Sequence, residues 1–479
     1  MFFNTNHQSV SNQQLEFTVE NLEQREMLAG DVTVEVVDQA GFSILEITGD
    51  ENSNRIELIS DGTTVSVIGK GTDLNGQNET LQFSVADLDG YIVALGDGND
   101  QVTMIADNDT GTGFIGLGMA IDMGAGNDRV RLIAQNDNSS QNGFHFGIVQ
   151  IETSDGNDRV EMFAENTVGV GFRNEAEYII NTGSGNDRVT LTAETQAVPS
   201  SNAMAFLIDD FMTINTHDSD GGNDRVSITT QNDGDFFVGE NLNIEVGNGR
   251  NRIDIVASDA GEIKVDDVLN ILAGDGGNRI NMVAENSSGN GFDIGNEILV
   301  ETGAGSDRIA IRAENSSSNN GFTMAGGLGV LSGAGNDRID VVADNDAGTG
   351  FYMESGMLLL GDEGDDRINL VARGNGQNGF VVNGFFDFFG SRFAYGVEGG
   401  DGNDRITVDA DNRDGTGFFS AETDGAMLIG GGNHDDRVTL DSRLATGFDI
   451  EVIEVDGGDG VDRLNNDAVL TAIETNFEQ

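Results

Sequence analysis

Carboxylates return along this chain at a fixed place in a short glycine-rich string. Gly-x-Gly-Asn-Asp, or a close variant, ends at Asp100, Asp128, Asp158, Asp187, Asp224, Asp307, Asp337, Asp366, Asp404, Asp436 and Asp462, and degenerate copies end at Asn54, Asn251 and Asn278. These fourteen positions are the anchors, and Gly stands two residues before 12 of the 14. Stacked copies would put their carboxylates in a column at about 5 Å spacing. Like charges that close are unfavourable, and burial makes them more so. Protonation, a neighbouring arginine or a cation resolves such a column. An aspartate can also accept backbone N–H groups and simply stabilise its turn. Among cations Ca²⁺ suits best, because it accepts about six to eight oxygens, carbonyls included, in flexible geometry. Mg²⁺, which demands tight octahedral geometry and holds its water, fits less well.

Arginine follows the anchor in 13 of 14 copies, from Arg55 to Arg463, with Gln101 the exception, and these are 13 of the 24 Lys and Arg residues. Parity along a strand puts Asp128 with Val130, Leu132 and Ala134 on one face and Arg129 on the other. The expectation is an outward arginine ladder that cross-links acidic side chains of adjacent coils through its planar fork. The alternative is recognition of an acidic polysaccharide, against which the formal charge of −59 argues. That charge also excludes nucleic acid and anionic membranes as expected partners.

Catalytic groups of other kinds are few. The four histidines, His7, His145, His217 and His434, show no metal-ligand spacing, and there is no His-Glu-x-x-His, nucleophile elbow, Walker loop or dinucleotide turn. The chain has 0 Cys, which excludes disulfides and thiol chemistry. The expectation is therefore no enzyme, with a polysaccharide-binding or polysaccharide-cleaving β-helix as the runner-up, its groove near Asp387, Arg392 and Tyr395.

The elements that must position the anchors follow from their spacing. After a first interval of 46, the anchors recur every 26 to 38 residues, which is the mark of a solenoid. Between Asp307 and Asp337 the chain reads as a strand, a polar corner, and two more short strands that enter the next glycine-rich turn. The fold class expected is all-β, a parallel β-helix of about 13–14 coils, stacked about 4.8 Å apart into a rod of roughly 60–70 Å. A single Pro fits a backbone whose N–H groups are nearly all used in ladders. Residues 1–31 form an N-terminal export or capping segment, and 32–476 form one solenoid domain with insertions near 57–95, 195–220 and 381–398. A phenylalanine column is expected in the core at Phe114, Phe144, Phe172, Phe292, Phe322, Phe351, Phe380, Phe418 and Phe448. Stacked asparagines are expected at Asn136, Asn166, Asn286, Asn315 and Asn345. The aromatic run from Phe385 to Tyr395 is a candidate exposed binding row.

Two stretches resemble known families. Gly399-Gly400-Asp401-Gly402-Asn403-Asp404 and Gly457-Gly458-Asp459-Gly460-Val461-Asp462 resemble the calcium-binding repeat of hemolysin-type (RTX) proteins, secreted proteins that hold Ca²⁺ between stacked nine-residue turns. The resemblance implies metal ligands at Asp404 and Asp462, with Asp401 and Asp459 beside them. At the weaker copies it implies Asp100, Asp128, Asp158, Asp187, Asp224, Asp307, Asp337, Asp366 and Asp436. Asn251 and Asn278 would interrupt the metal column. Leu22-Glu23-Gln24-Arg25-Glu26-Met27-Leu28 resembles a segment near the N-terminus of many planctomycete surface and secreted proteins. That implies a bacterial, extracellular or cell-surface location. The N-terminus has no basic region or apolar core of an ordinary signal peptide, and no stretch approaches the roughly 20 apolar residues of a membrane span. The function expected is a structural or adhesive solenoid stabilised by Ca²⁺, with cell-envelope or extracellular-matrix components as partners.

Overall fold

Residues 30–475 are described in a computed structural model, apart from 78–79, 109–110, 137–140, 167–168, 195–203, 218–220, 287–289, 315, 317, 376, 389–390, 413–415, 421–425, 443–447, 451 and 468–472. Each coil starts where an anchor ends. In Arg129–Asn136 the chain reads Arg-Val-Arg-Leu-Ile-Ala-Gln-Asn; Val130, Leu132 and Ala134 are buried and Arg131 is exposed. Alternation of period two is what a strand with one buried face requires. The next coil repeats the choice in register, pairing Val130 with Val160, Leu132 with Met162 and Ala134 with Ala164.

These post-anchor strands make one wall of the solenoid. It contains 16 strands, of which Thr64–Gly69 and Leu81–Ser84 are antiparallel additions, leaving 14 parallel strands from Arg55–Ser60 to Arg463–Asn466. Fourteen strands about 4.8 Å apart give a rod of roughly 60 Å. The opposite wall is a 27-stranded sheet. Early coils cross it in one long strand, Phe114–Asp122 or Phe144–Glu152, and later ones in two short strands such as Phe322–Met324 and Leu328–Leu331. The parallel β-solenoid expected from the anchor spacing is therefore the observed architecture.

Phenylalanine stacks down the interior. Neighbouring ring centroids from Phe292 through Phe322, Phe351 and Phe380 to Phe418 lie 4.4–4.9 Å apart with nearly parallel planes. Phe206 and Phe236 also belong to this column, following Phe172, and Ile263 alone separates the two halves, between Phe236 and Phe292. The glycine before many of these rings packs on the alanine that ends the preceding strand. A Cβ on Gly321 would lie 2.4 Å from the Ala313 Cβ. That contact is why the corner narrows there.

The first interval is an N-terminal cap rather than a loop pushed from an edge. Asp31–Gln39 pairs antiparallel with Phe42–Thr48, and Arg55–Ser60 with Thr64–Gly69, so antiparallel strands cover both walls at this end. Such a cap ends the open stack, a standing hazard of exposed edges. Residues within 195–220 continue the stack as Met204–Ile208 and Met212–Thr216, so the extra length falls outside the described residues. In the third insertion Phe386–Phe388 and Ser391–Phe393 form a hairpin, and Tyr395–Asp401 rejoins the wall. Of the expected aromatic row, the side chains of 386–389 lie outside the described residues. Phe393 and Tyr395 are buried, and the Tyr395 hydroxyl donates to the Phe419 carbonyl at 2.9 Å. The Leu22–Leu28 segment lies outside the described residues, as do the side chains of Asn136, Asn166, Asn286 and Asn315, while Asn345 is buried.

Candidate functional site

All fourteen anchors point inward, at 3 % exposure or less. The second glycine, present before 12 of the 14, is what lets those corners stack so closely. A Cβ on Gly126 would sit 1.4 Å from the Gly98 carbonyl oxygen. Each anchor then hydrogen-bonds along the stack. The Asp100 N–H donates to Asp128 Oδ1 at 2.7 Å, Asp128 to Asp158 at 2.7 Å, and Asp158 to Asp187 at 2.8 Å. From Asp307 the same bonds run to Asp337, Asp366, Asp404, Asp436 and Asp462 at 2.7–2.9 Å. One carboxyl oxygen per anchor thus closes the N–H of the previous coil, a donor that burial would otherwise leave unsatisfied.

The second oxygen has a different fate. Thr182 donates to Asp187 Oδ2 at 2.8 Å and Thr216 to Asp224 Oδ2 at 3.0 Å. At Asp100, Asp128, Asp158, Asp307, Asp337, Asp366, Asp404, Asp436 and Asp462, Oδ2 is buried without a hydrogen-bond partner. The asparagine anchors show what this position favours. Asn251 Nδ2 donates to the Gly247 carbonyl at 2.6 Å, and Asn278 Nδ2 to the Gly274 carbonyl at 2.7 Å. A carboxylic acid, protonated on Oδ2, is the aspartate form that can donate in the same way. Burial drives most of the aspartate anchors from Asp100 to Asp436 toward that form, and at several of them, as at Asp128 and Asp337, adjacent carboxylates add to it. Asp100, Asp128, Asp158, Asp187, Asp337 and Asp404 are pushed up to about 7, and Asp366 and Asp436 to about 6.

The anchors are thus brought into one column, the arrangement the resemblance implies for its ligand aspartates. Oδ1 of each is engaged by a backbone N–H, and Oδ2 faces the interior of its own coil. The corner carbonyls are engaged too, as where Gly98 N–H donates to the Ala125 carbonyl at 2.8 Å and Gly126 N–H to the Asp155 carbonyl at 2.8 Å. Asp401 and Asp459, the two other expected ligands, are exposed on the outside of the turn. Asp401 Oδ1 accepts from Asn433 Nδ2. Among the described residues no three His, Asp or Glu side chains gather as a metal would need.

The residue before the anchor forms a second, exposed ladder that the sequence reading passed over. Asn127 N–H donates to Asn99 Oδ1 at 2.9 Å, and Asn157, Asn186 and Asn223 continue it at 3.0–3.1 Å. The signal was in the string itself, where Asn or Asp stands before most anchors. The Asn and Asp of the motif are therefore two parallel ladders, one at the surface and one buried.

Outside, the arginines line up as parity requires. Arg129 and Arg159 both reach Glu161, Arg129 at 2.6 Å. Arg225 and Arg252 share Asp254 at 3.3 and 2.6 Å, and Arg338 holds Asp340 at 2.6 Å. On the other wall, an open groove of about 440 Å³ beside the hairpin is lined by Leu358, Phe393, Gly396, Glu398, Leu428 and Glu454, among others. Among the described residues no helix is long and apolar enough to cross a membrane. No family model matches the chain, and neither a curated protein nor a solved structure matches it.

Proposed function

We propose that this chain is a rigid extracellular or cell-surface rod, a structural or adhesive spacer without catalytic activity. The observation that carries the proposal is unbroken in-register pairing along 14 stacked strands of one wall. A stack tied coil to coil by backbone, carboxyl and asparagine ladders and filled by one aromatic column resists bending along its whole length. The charge of −59 keeps such a rod soluble and separate from its copies. Placement outside the cell rests on the resemblances of the turns and of Leu22–Leu28.

Small-angle scattering tests the rod directly. A maximum dimension near the stacked length, with a constant cross-section, is expected; a compact or flexible particle would remove the proposal. Calcium needs a test of its own, because Oδ1 of these anchors already accepts a backbone N–H while Oδ2 of nine of them has no hydrogen-bond partner. Melting followed by circular dichroism with chelator and with added Ca²⁺ decides this. An unchanged midpoint retires the calcium role. A midpoint that climbs with Ca²⁺ and saturates restores it.

A further inference from the structure

The outward arginines form an uninterrupted in-register column from Arg129 to Arg463, but its chemistry changes along the rod. Up to Arg338 an acidic side chain recurs in the neighbouring outward column, as Glu161, Asp254 and Asp340, and several arginines share it. Asp340 also feels the charge of Arg308. Beyond that point the acids stop. Arg367 stacks on Arg405, Arg405 on Arg437 and Arg437 on Arg463, and the adjacent column reads Asn369, Thr407, Thr439, Asn465. Among the described residues these four arginines form no salt bridge, and all four are exposed.

Four arginines on strands about 4.8 Å apart set like charges side by side, an arrangement that an anion lying across them relieves. On the turn side the nearest outward acids are Asp365 and Asp435, with Asn403 and Val461 at the equivalent places between and after them. Both carboxylates already accept from the next coil: Asp365 Oδ1 from the Asn403 N–H at 2.9 Å, and Asp435 Oδ1 from the Val461 N–H at 3.0 Å. On the other side the next acids, Asp409 and Asp441, stand two outward positions farther along the strands, and Asp409 pairs with Arg373 at 3.1 Å.

We propose that the stripe Arg367–Arg405–Arg437–Arg463, flanked by Thr407, Thr439 and Asn465, binds a linear acidic polysaccharide that carries one carboxylate per sugar. An arginine fork matches a carboxylate in two parallel hydrogen bonds. The strand spacing of about 4.8 Å is comparable to the length of one sugar in an extended 1,4-linked uronate chain. Successive carboxylates of such a chain turn to opposite sides, so those facing the stripe meet alternate arginines and the arginines between them flank the chain. The hydroxyl and amide column beside them supplies neutral partners for sugar hydroxyls. The net charge of −59 opposes any polyanion, so binding depends on the local arginine stripe and not on the overall charge, and a denser polyanion such as nucleic acid meets more repulsion.

The experiment titrates an oligogalacturonate long enough to span four coils into the full chain, by calorimetry at low salt. Saturable binding is expected. The double variant Arg405→Gln/Arg437→Gln should weaken it by about tenfold or more, the loss expected for charged hydrogen bonds. Arg405→Lys/Arg437→Lys should retain part of it, and Arg129→Gln, at a salt-bridged site far along the rod, should not change it. Circular dichroism confirms that each variant folds. Three results would overturn the proposal: no binding by the parent chain, equal affinity in the Gln double variant, or single-stranded DNA bound as tightly. The stripe rests on the rod for its spacing, so scattering that keeps the rod length while binding fails removes the stripe alone.

Discussion

At the scale of single residues, the anchor aspartate is best understood beside the asparagines that replace it. Asn278 accepts from the Asn251 N–H on Oδ1 and donates from Nδ2 to the Gly274 carbonyl. Asp337 makes the first kind of bond, from Asp307 N–H, and lacks the second. Asp337→Asn should therefore leave stability at about pH 8 unchanged or raise it by about 1 kcal/mol, whereas Asp337→Ala, which strands a buried N–H, should cost about 1–3 kcal/mol. Urea midpoints separate the two. The pH dependence has a definite sign. Asp337 titrates at about 7 in the fold against an ordinary 3.8, because burial penalises its charge. Between those values the folded chain binds more protons than the unfolded one, so this stability is fully present below the unfolded pKa and is lost as pH rises through about 7. At constant ionic strength the melting temperature should fall from about pH 5 to about pH 8, and a flat or rising profile would mean that the anchors are ionised in the fold. An opposite, weaker trend belongs to Asp340. Burial pushes its carboxyl up, but Arg338 and Asn369 outweigh this and hold it below the ordinary value, so its contribution is lost on acidification. Strand parity alone showed that the anchor faces inward. What parity could not show is which partner each oxygen takes, because that depends on how each corner sits over the next.

At the scale of the element, one coil is a strand, a glycine-on-alanine corner, a second wall and a Gly-x-Gly corner. The two corners set its tolerance to change. Gly126→Ala would drive a Cβ into the Gly98 carbonyl oxygen, with only backbone to give way. It should cost more than about 3 kcal/mol, as backbone clashes of this kind do, and denaturant melts would show it. Phe351→Ala should cost about 3–5 kcal/mol, since its ring is fully buried between Phe322 and Phe380. These strands were legible from the sequence because an inward set of two aliphatic or Met residues, then Ala, repeats after most anchors. Phe206 and Phe236 were not, because neither follows glycine: Ala205 and Asp235 stand in that place. The N-terminal cap was also hidden. Residues 57–95 alternate like any strand, and nothing in alternation separates an antiparallel hairpin from one more parallel coil. That Phe393 and Tyr395 turn inward was not legible either, since composition alone does not say which face of the wall a ring occupies.

At the scale of the whole molecule, the rod is a sum of nearly equivalent layers, and each touches only its neighbours. Stability in such a stack is close to a sum of local terms, so whole coils can be removed without loss of the fold. Residues 308–366 make two coils, bounded by the anchors Asp307 and Asp366. Deleting them joins Asp307 to Arg367 in the same phase. The Asp307 N–H would then meet Asp404 Oδ1, as that of Asp366 does now at 2.8 Å, and Phe292 would stack on Phe380. The shortened chain should stay folded and lose about 10 Å of length, two strand spacings. Deleting only 308–322 removes half a coil. It sets every later anchor against the wrong corner, exposes one wall's apolar face and should abolish cooperative melting. Scattering and melting of the two deletions together decide the matter. If both shorten the particle equally and both melt cooperatively, register between corners is not what holds the rod. If neither folds, the coils depend on more than their neighbours.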